Sequence, residues 1–335
     1  MVKYYTTDEN VRIQEVKEFE EGCWIELTNP SNEEVNAVVE LSGIQEDFLK
    51  AALDEEESAR VDFDDGVTMY VVDSPILVDT EDGSMYTTMP VAIIYNEKCI
   101  VSVSLSANSV LQGLRVNRTP ISTQKPVWFI LNFMLENVKR FTYSLKQIDK
   151  KSLRLQAELH KSMRNQELIE LLALQDSLVY FSTALSGNAS VYRKLARIEG
   201  VQSREEYRDI ADDILIESRQ ATETCGIYRD ILKTTMDAFS SVISNNVNHV
   251  VKSLTIITIL VSIPTLIAGF FGMNVDMPFG WGEYGDKSGI QFWIILGVSI
   301  VLTAICSIWL VKTADNVKLH TARRGKRKRG KKKRR

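Results

Sequence analysis

Hydrophobic and polar positions follow three different rhythms along this chain. Up to about residue 107, short β-rich runs recur at Cys23–Leu27, Arg60–Phe63, Thr68–Val72, Met89–Tyr95 and Cys99–Leu105. Helical patterns lie among them at Glu33–Leu41 and Gln45–Ala52. Ile93–Tyr95 and Cys99–Val101 read as two strands around a tight turn at Asn96-Glu97-Lys98. From Val127 to Ile263 there is no proline, and glycine occurs only at 187, 200 and 226. Such a stretch predicts helices over Pro126–Met163, Gln166–Leu185 and Ala189–Ile198, with Gly187 and Gly200 as breaks. Ser203-Arg204-Glu205-Glu206 has a capping-box sequence, and no stop signal follows before Phe271. The pattern therefore predicts one helix on the order of 100 Å long.

The third rhythm is unbroken hydrophobicity. Ser253–Val275 (23 residues) and Ser288–Val311 (24 residues) carry no charge. As helices each reaches roughly 34–36 Å, enough for a ~30 Å hydrocarbon core. A buried soluble helix could be as apolar, but two in succession favour membrane spans. The N-terminus has no apolar signal-peptide core, so the first 250 residues are expected to stay on the side of synthesis.

Within the predicted long helix, steps of four and three pick out Asp237, Ser241, Ser244, Asn248, Val251, Thr255, Thr258, Ser262, Thr265 and Gly269. This 3.5-residue period is the seam of a left-handed supercoil, but here it is small and polar where coiled coils are apolar. Small polar residues also serve close helix packing. A seam that continues from an acidic stalk through the bilayer fits helices arranged around water, with a symmetric oligomer completing the ring. Leu260, Ile263, Leu266 and Ile267 would then pack on neighbours or on the second span, and Pro264 is a candidate kink.

Charge and cysteine usage narrow the chemistry. Of 40 Lys and Arg, 11 lie in Thr321–Arg335, which leaves 29 against 44 Asp and Glu in the rest, net −15. A basic arm just past a span, with Lys312 and Lys318, reads as cytoplasmic and facing anionic lipid head groups rather than nucleic acid, with both termini inside. Cys23, Cys99, Cys225 and Cys306 are widely spaced, and His160, His249 and His320 are scattered. A disulfide framework or a zinc knuckle is therefore not expected, and any metal should meet oxygen ligands. No nucleotide-binding glycine loop or nucleophile–histidine arrangement suggests an enzyme.

The first span ends Ala268-Gly269-Phe270-Phe271-Gly272-Met273-Asn274. A Gly-Met-Asn tripeptide at the outer end of the first of two C-terminal spans, with the Lys252–Gly269 segment, resembles the CorA family of magnesium transport channels. The resemblance covers the whole architecture and implies an α+β membrane protein that assembles as a funnel-shaped homopentamer. Its parts would be a cytoplasmic α/β regulatory domain (1–120), a helical stalk (121–251) and a pore-lining span (252–274). An external loop (275–289), a second span (290–311) and a basic cytoplasmic tail (312–335) would follow. The resemblance implies a bacterial inner-membrane protein that imports Mg²⁺, with Co²⁺ or Ni²⁺ as further candidate ions.

Gly272, Met273 and Asn274 would form the selectivity mouth, lined by carbonyl oxygens suited to an ion that keeps its water shell. Val251 and Leu254 match an apolar neck, although Leu254 also suits plain helix packing. Phe271 stands where the family has tyrosine. Asp276, Glu283 and Asp286 supply acidic charge to the loop, but Asp276-Met277-Pro278-Phe279-Gly280-Trp281 departs from the usual proline–glutamate pattern. Regulatory Mg²⁺ would be held between subunits by Asp237 and by either Asp209 or Asp213, with Asp79 of the Asp79-Thr80-Glu81-Asp82 cluster as partner. Each of these carboxylates also suits a solvated surface. A transition-metal transporter on the same fold, zinc above all, and a membrane-anchored coiled-coil scaffold are the alternatives.

Overall fold

The computed structural model describes residues 1–8, 12–80, 83–116, 121–162, 165–272 and 293–308. They fall into two units, Met1–Met236 and Asp237 onward.

The first unit is built on a seven-stranded sheet. Its strands are β1 (Val2–Thr7), β2 (Ile13–Val16), β3 (Trp24–Thr28), β4 (Arg60–Asp64), β5 (Val67–Thr80), β6 (Gly83–Tyr95) and β7 (Ile100–Ser104). The order is β2-β1-β3-β7-β6-β5-β4, and only β3 and β7 run parallel. Helices α1 (Asn32–Ser42) and α2 (Glu46–Ala51) cover one face. There Ile25 and Leu27 of β3 and Val101 and Val103 of β7 pack with Val35, Val38 and Leu49. The other face carries Trp24, which packs on Phe129 with ring centroids 5.1 Å apart and donates from Nε1 to Ser102 Oγ at 2.8 Å. Both faces are buried, and the face opposite α1 and α2 also buries polar groups, Glu26 of β3 and Ser102 and Ser104 of β7.

The predicted β6–β7 hairpin is present, with Tyr95 opposite Ile100. The expected strands at Thr68–Val72 and Met89–Tyr95 are the inner ends of a much longer hairpin. Pro75 lies past the expected Thr68–Val72 strand and Pro90 inside Met89–Tyr95, and neither can donate to a sheet ladder. Both lie beyond the flanking strands: β4 ends where Arg60 meets Val71, and β7 where Ser104 meets Val91. Each hairpin strand has one open edge there. Sequence patterning also missed β1, β2 and α3 (Ser109–Val116), which are short and mix charge with apolar residues.

Helix α4 spans Pro126–Ser162 as expected. Helix α5 runs from Asn165 to Leu195, straight through Gly187, so the predicted break is absent. A Cβ on Gly187 would lie 3.3 Å from Ala59 Cβ, which explains the glycine as a close approach of helix to sheet. The next residue uses that closeness. Asn188 Oδ1 accepts from the Asp73 N–H at 2.9 Å, and its Nδ2 donates to the Asp73 carbonyl at 2.8 Å. One side-chain amide thus continues the ladder where β4 has ended. Asn137 Nδ2 of α4 donates to the same carbonyl, and Ser74 Oγ donates to Asn137 Oδ1. Every one of these polar groups is paired, as burial requires.

Gly200 sits inside a short helix, α6 (Glu199–Gln202), and Ser203 is the C-cap of α6. The expected capping role of Ser203 is therefore replaced: its hydroxyl donates back to Gly200. A capping box does form at α1, where Ser31 and Glu34 satisfy each other's backbone N–H. Helix α7 runs from Glu205 to Phe271 without interruption, Pro264 included. The second unit consists of α7 from Asp237 and α8 (Trp293–Ile308). Leu260 and Pro264 of α7 line a groove of about 380 Å³ together with Leu296, Ser299, Ile300 and Thr303 of α8.

Candidate functional site

Among the described residues, two helices, α5 and α7, are long and apolar enough to cross a membrane. The apolar window of α5 is 39% buried, as a core helix should be, whereas that of α7 has a mean hydropathy of 2.1 and no buried residue. Helix α8 is a shorter apolar helix.

The distal half of α7 sorts its residues by face. Ile256, Leu260, Ile263, Pro264 and Ile267 are partly covered, and Leu260 and Pro264 meet α8. Leu266, expected to pack with them, is 63% exposed in the single chain. The seam residues Asp237, Ser241, Ser244, Asn248, Val251, Thr255, Thr258, Ser262, Thr265 and Gly269 are all exposed. Each covered residue is one or two positions from the nearest seam residue, about 100° or 200° around the helix. The seam is therefore a face of its own.

The hydroxyls on this face share one geometry. Thr255, Thr258, Ser262 and Thr265 donate to the carbonyls of Val251, Leu254, Thr258 and Val261, at 2.8–2.9 Å. Ser241 does the same with Asp237 at 3.0 Å. Each spends its only proton on the turn below, and what remains free is the oxygen's accepting capacity. Such a row of oxygens suits a cation, or the water protons around one. Sequence patterning identified these residues, but the committed hydroxyl protons are visible only in three dimensions. Val251 and Leu254 project from the same region and are 56% and 62% exposed.

At the end of α7 the Gly272 N–H donates to Ala268 O at 3.0 Å and Gly269 O at 3.2 Å. A Cβ there would approach Ala268 O to 3.3 Å, so the turn favours glycine. Met273, Asn274, Asp276, Glu283, Asp286, the external loop and the basic tail lie outside the described residues.

The carboxylates expected to bind regulatory cations are exposed at Asp237, Asp209, Asp213 and Asp79. Asp209 and Asp213 are one turn apart on α7, hence on one face. Asp79 lies within β5 near the end of the hairpin, and Ser84 Oγ donates to its Oδ1 at 2.7 Å. Glu81 and Asp82 lie outside the described residues. Among the described residues of one chain, no three His, Cys, Asp or Glu side chains gather into a metal site. The donors are all oxygen, which fits a hard ion, but a full coordination shell needs ligands from a second copy or from water.

Comparison with known proteins places these features in context. Residues 19–318 match the family described as CorA-like Mg²⁺ transporter protein. The cobalt/magnesium transport protein CorA of Methanocaldococcus jannaschii is 25% identical over 295 residues, 84% of this chain and 87% of that protein. The protein of the same name from Thermotoga maritima is 24% identical over 301 residues, 86% of this chain and 82% of that one. The complete structure of the Methanocaldococcus jannaschii CorA magnesium transporter superposes with a TM-score of 0.72 at 20% identity, covering 93% of this chain and 96% of its own.

Proposed function

The chain belongs to the CorA family, and from that premise we propose that it is a channel through which Mg²⁺ enters the cytoplasm down its electrochemical gradient. The observation that carries this reading is the exposed seam of α7, whose hydroxyl protons are turned inward and whose oxygens face out. Copies of the chain around a symmetry axis, five in the reading we adopt, would close these seams into a wet funnel-shaped pore.

Mg²⁺ dehydrates reluctantly and prefers six oxygens in octahedral geometry. A ring of Asn274 carbonyls above Gly272 and Met273 would accept hydrogen bonds from the waters the ion retains. Thr265, Ser262, Thr258 and Thr255 would accept from the same shell further down, and Gly269 leaves it room. Neutral oxygens hold the ion less tightly than carboxylates and so let it leave. Asp276, Glu283 and Asp286 would raise the local cation concentration at the outer mouth. Val251 and Leu254 would form the apolar neck that closes by dewetting, above Asn248. Inward flow needs no hydrolysis, since the membrane potential supplies about 2.3 kcal/mol per charge per 100 mV, twice over for a divalent ion.

Cytoplasmic Mg²⁺ would close the channel by bridging acidic surfaces of adjacent subunits, through Asp237 and through Asp209 or Asp213 with Asp79. Sites of this kind would draw their ligands from adjacent copies. The chain would lie in the inner membrane, and the loop charges support both termini being cytoplasmic. The same oxygen donors would admit Co²⁺ or Ni²⁺. A zinc transporter and a membrane-anchored scaffold remain as competing readings. Flux of Mg²⁺ into liposomes separates them. The wild type should conduct Mg²⁺ in preference to Zn²⁺, and Asn274→Ala should lower the Mg²⁺ rate at least ~10-fold, the equivalent of ~1.4 kcal/mol at the filter. Unchanged flux in the variant removes Asn274 from the filter, and no flux in the wild type favours the scaffold.

A further inference from the structure

Cys23 directly precedes β3 and Cys99 directly precedes β7. These strands run parallel with Trp24 opposite Ile100, so one step back sets Cys23 beside Cys99. Two backbone bonds bracket the pair: Ile100 N–H donates to Cys23 O at 3.0 Å, and Gly22 N–H to Lys98 O at 2.6 Å. Side chains alternate along a strand. Cys23 therefore shares a face with Ile25 and Leu27, and Cys99 with Val101 and Val103. All six belong to one buried cluster. The two thiols lie side by side, and neither is in a disulfide.

The place is unusual in two respects. The β3–β7 pair joins the β2-β1-β3 half of the sheet to the β7-β6-β5-β4 half. It is also the start of both strands, where the chain has just turned: Gly22 has a left-handed φ of +80°, and Asn96–Lys98 form the β6–β7 turn. Neighbouring strands are about 4.8 Å apart, and a disulfide needs Cβ atoms ~3.5–4.5 Å apart. Closing that gap takes a shift of about an ångström or less at the two turns that lead into the strands. An opening of about 370 Å³ borders the pair, lined by Gly22, Asn96, Lys98 and Cys99, while Cys99 itself is 3% exposed.

We propose that Cys23 and Cys99 form a reversible oxidation site, in which a hydroperoxide converts the facing thiols into a disulfide that ties the two halves of the sheet together. The Cys99 sulfur attacks a peroxide oxygen and the O–O bond breaks. With hydrogen peroxide, the departing hydroxide takes the thiol proton as water and Cys99 is left as a sulfenic acid. The Cys23 sulfur then attacks the Cys99 sulfur, the S–O bond breaks, and the hydroxide leaves with the Cys23 proton as a second water. The two thiols give up two electrons in total and the peroxide takes them. Burial pushes the Cys99 thiol up to about 12, with Cys23 adding to the rise. The nucleophilic thiolate is scarce at neutral pH, so the site responds to sustained oxidant, and its rate rises about tenfold per pH unit. Cys225 sits elsewhere, its Sγ 3.4 Å from the Leu178 carbonyl oxygen, and Cys306 is on α8.

The test uses full-length protein in detergent. It is titrated with hydrogen peroxide, alkylated under denaturing conditions, digested without reductant and read by mass spectrometry. The expected result is a Cys23–Cys99 linked peptide, loss of those two thiols together, recovery of both with dithiothreitol, and no link in Cys23→Ala or Cys99→Ala. Three results overturn the proposal: both thiols still alkylated after Cys306 is fully oxidised, either one driven to sulfinic or sulfonic acid without a link, or linkage to Cys225 or Cys306 instead. The assay reads thiols and not ions, so its outcome is independent of the transport reading.

Discussion

Asp73 shows how a single residue carries information that patterning misses. Its backbone is held by two asparagine amides, while burial pushes its carboxyl up from 3.8 to about 6. A folded-state pKa above the unfolded value means that the folded chain binds the proton more tightly. The stability this contributes is present below pH ~3.8 and is lost as pH rises through about 6. Replacing the carboxyl by a neutral group of the same shape should reverse that loss. Asp73→Asn is expected to stabilise the protein by about 1–3 kcal/mol at pH 8, with the gain shrinking toward pH 4, in denaturant titrations at both pH values. A variant less stable than wild type at pH 8 contradicts this account. Nothing in the sequence marked Asp73, because its burial arises from packing against helices more than 60 residues away in the chain.

At the scale of elements, glycine and proline were legible as residue types but not as roles. Gly187 was expected to break a helix, and the strand expected at Thr68–Val72 stopped short of Pro75. The helix continues because a glycine is tolerated inside it where close packing offsets its ~1 kcal/mol helix cost. The strands continue because their open edges need no donor from proline. The long runs of α4 and α7, in contrast, were readable from the near absence of both residues. Two substitutions separate the roles. Gly226 in α7 has open space around a would-be Cβ, so Gly226→Ala should stabilise by ~1 kcal/mol through propensity alone. Gly187→Ala should forfeit that gain against Ala59, and Gly187→Val should cost about 1–3 kcal/mol by pushing α5 and Asn188 from the sheet edge. Thermal unfolding of the three variants gives the ranking, and equal effects of the two alanines remove the close-approach explanation.

For the whole molecule, the periodic seam of α7 was readable because a 3.5-residue repeat survives in a single chain. The proposed regulatory sites were only partly readable, since ligands that two copies would share leave no spacing rule along one sequence. That limit has a measurable side. Outside its basic terminal segment the chain carries a net charge of −15, so close approach of several copies at the cytoplasmic side requires counter-charge. In reconstituted channels, chelating Mg²⁺ on the cytoplasmic side should raise flux at least about fivefold, the lower end of typical coupling between sites. Asp237→Ala should keep conducting at a cytoplasmic Mg²⁺ concentration that closes the wild type. Closure of the variant at the wild-type concentration would falsify a role for Asp237 in that coupling.

The hydroxyls of α7 carry a last consequence. Passing a proton along a row of side chains requires each to swing from donor to acceptor. Thr255, Thr258, Ser262 and Thr265 are tethered to carbonyls one turn away, and such a swing would leave a backbone acceptor bare in a span with no spare donors. On the proposed reading, such hydroxyls would accept hydrogen bonds from the water around a metal ion without themselves relaying protons.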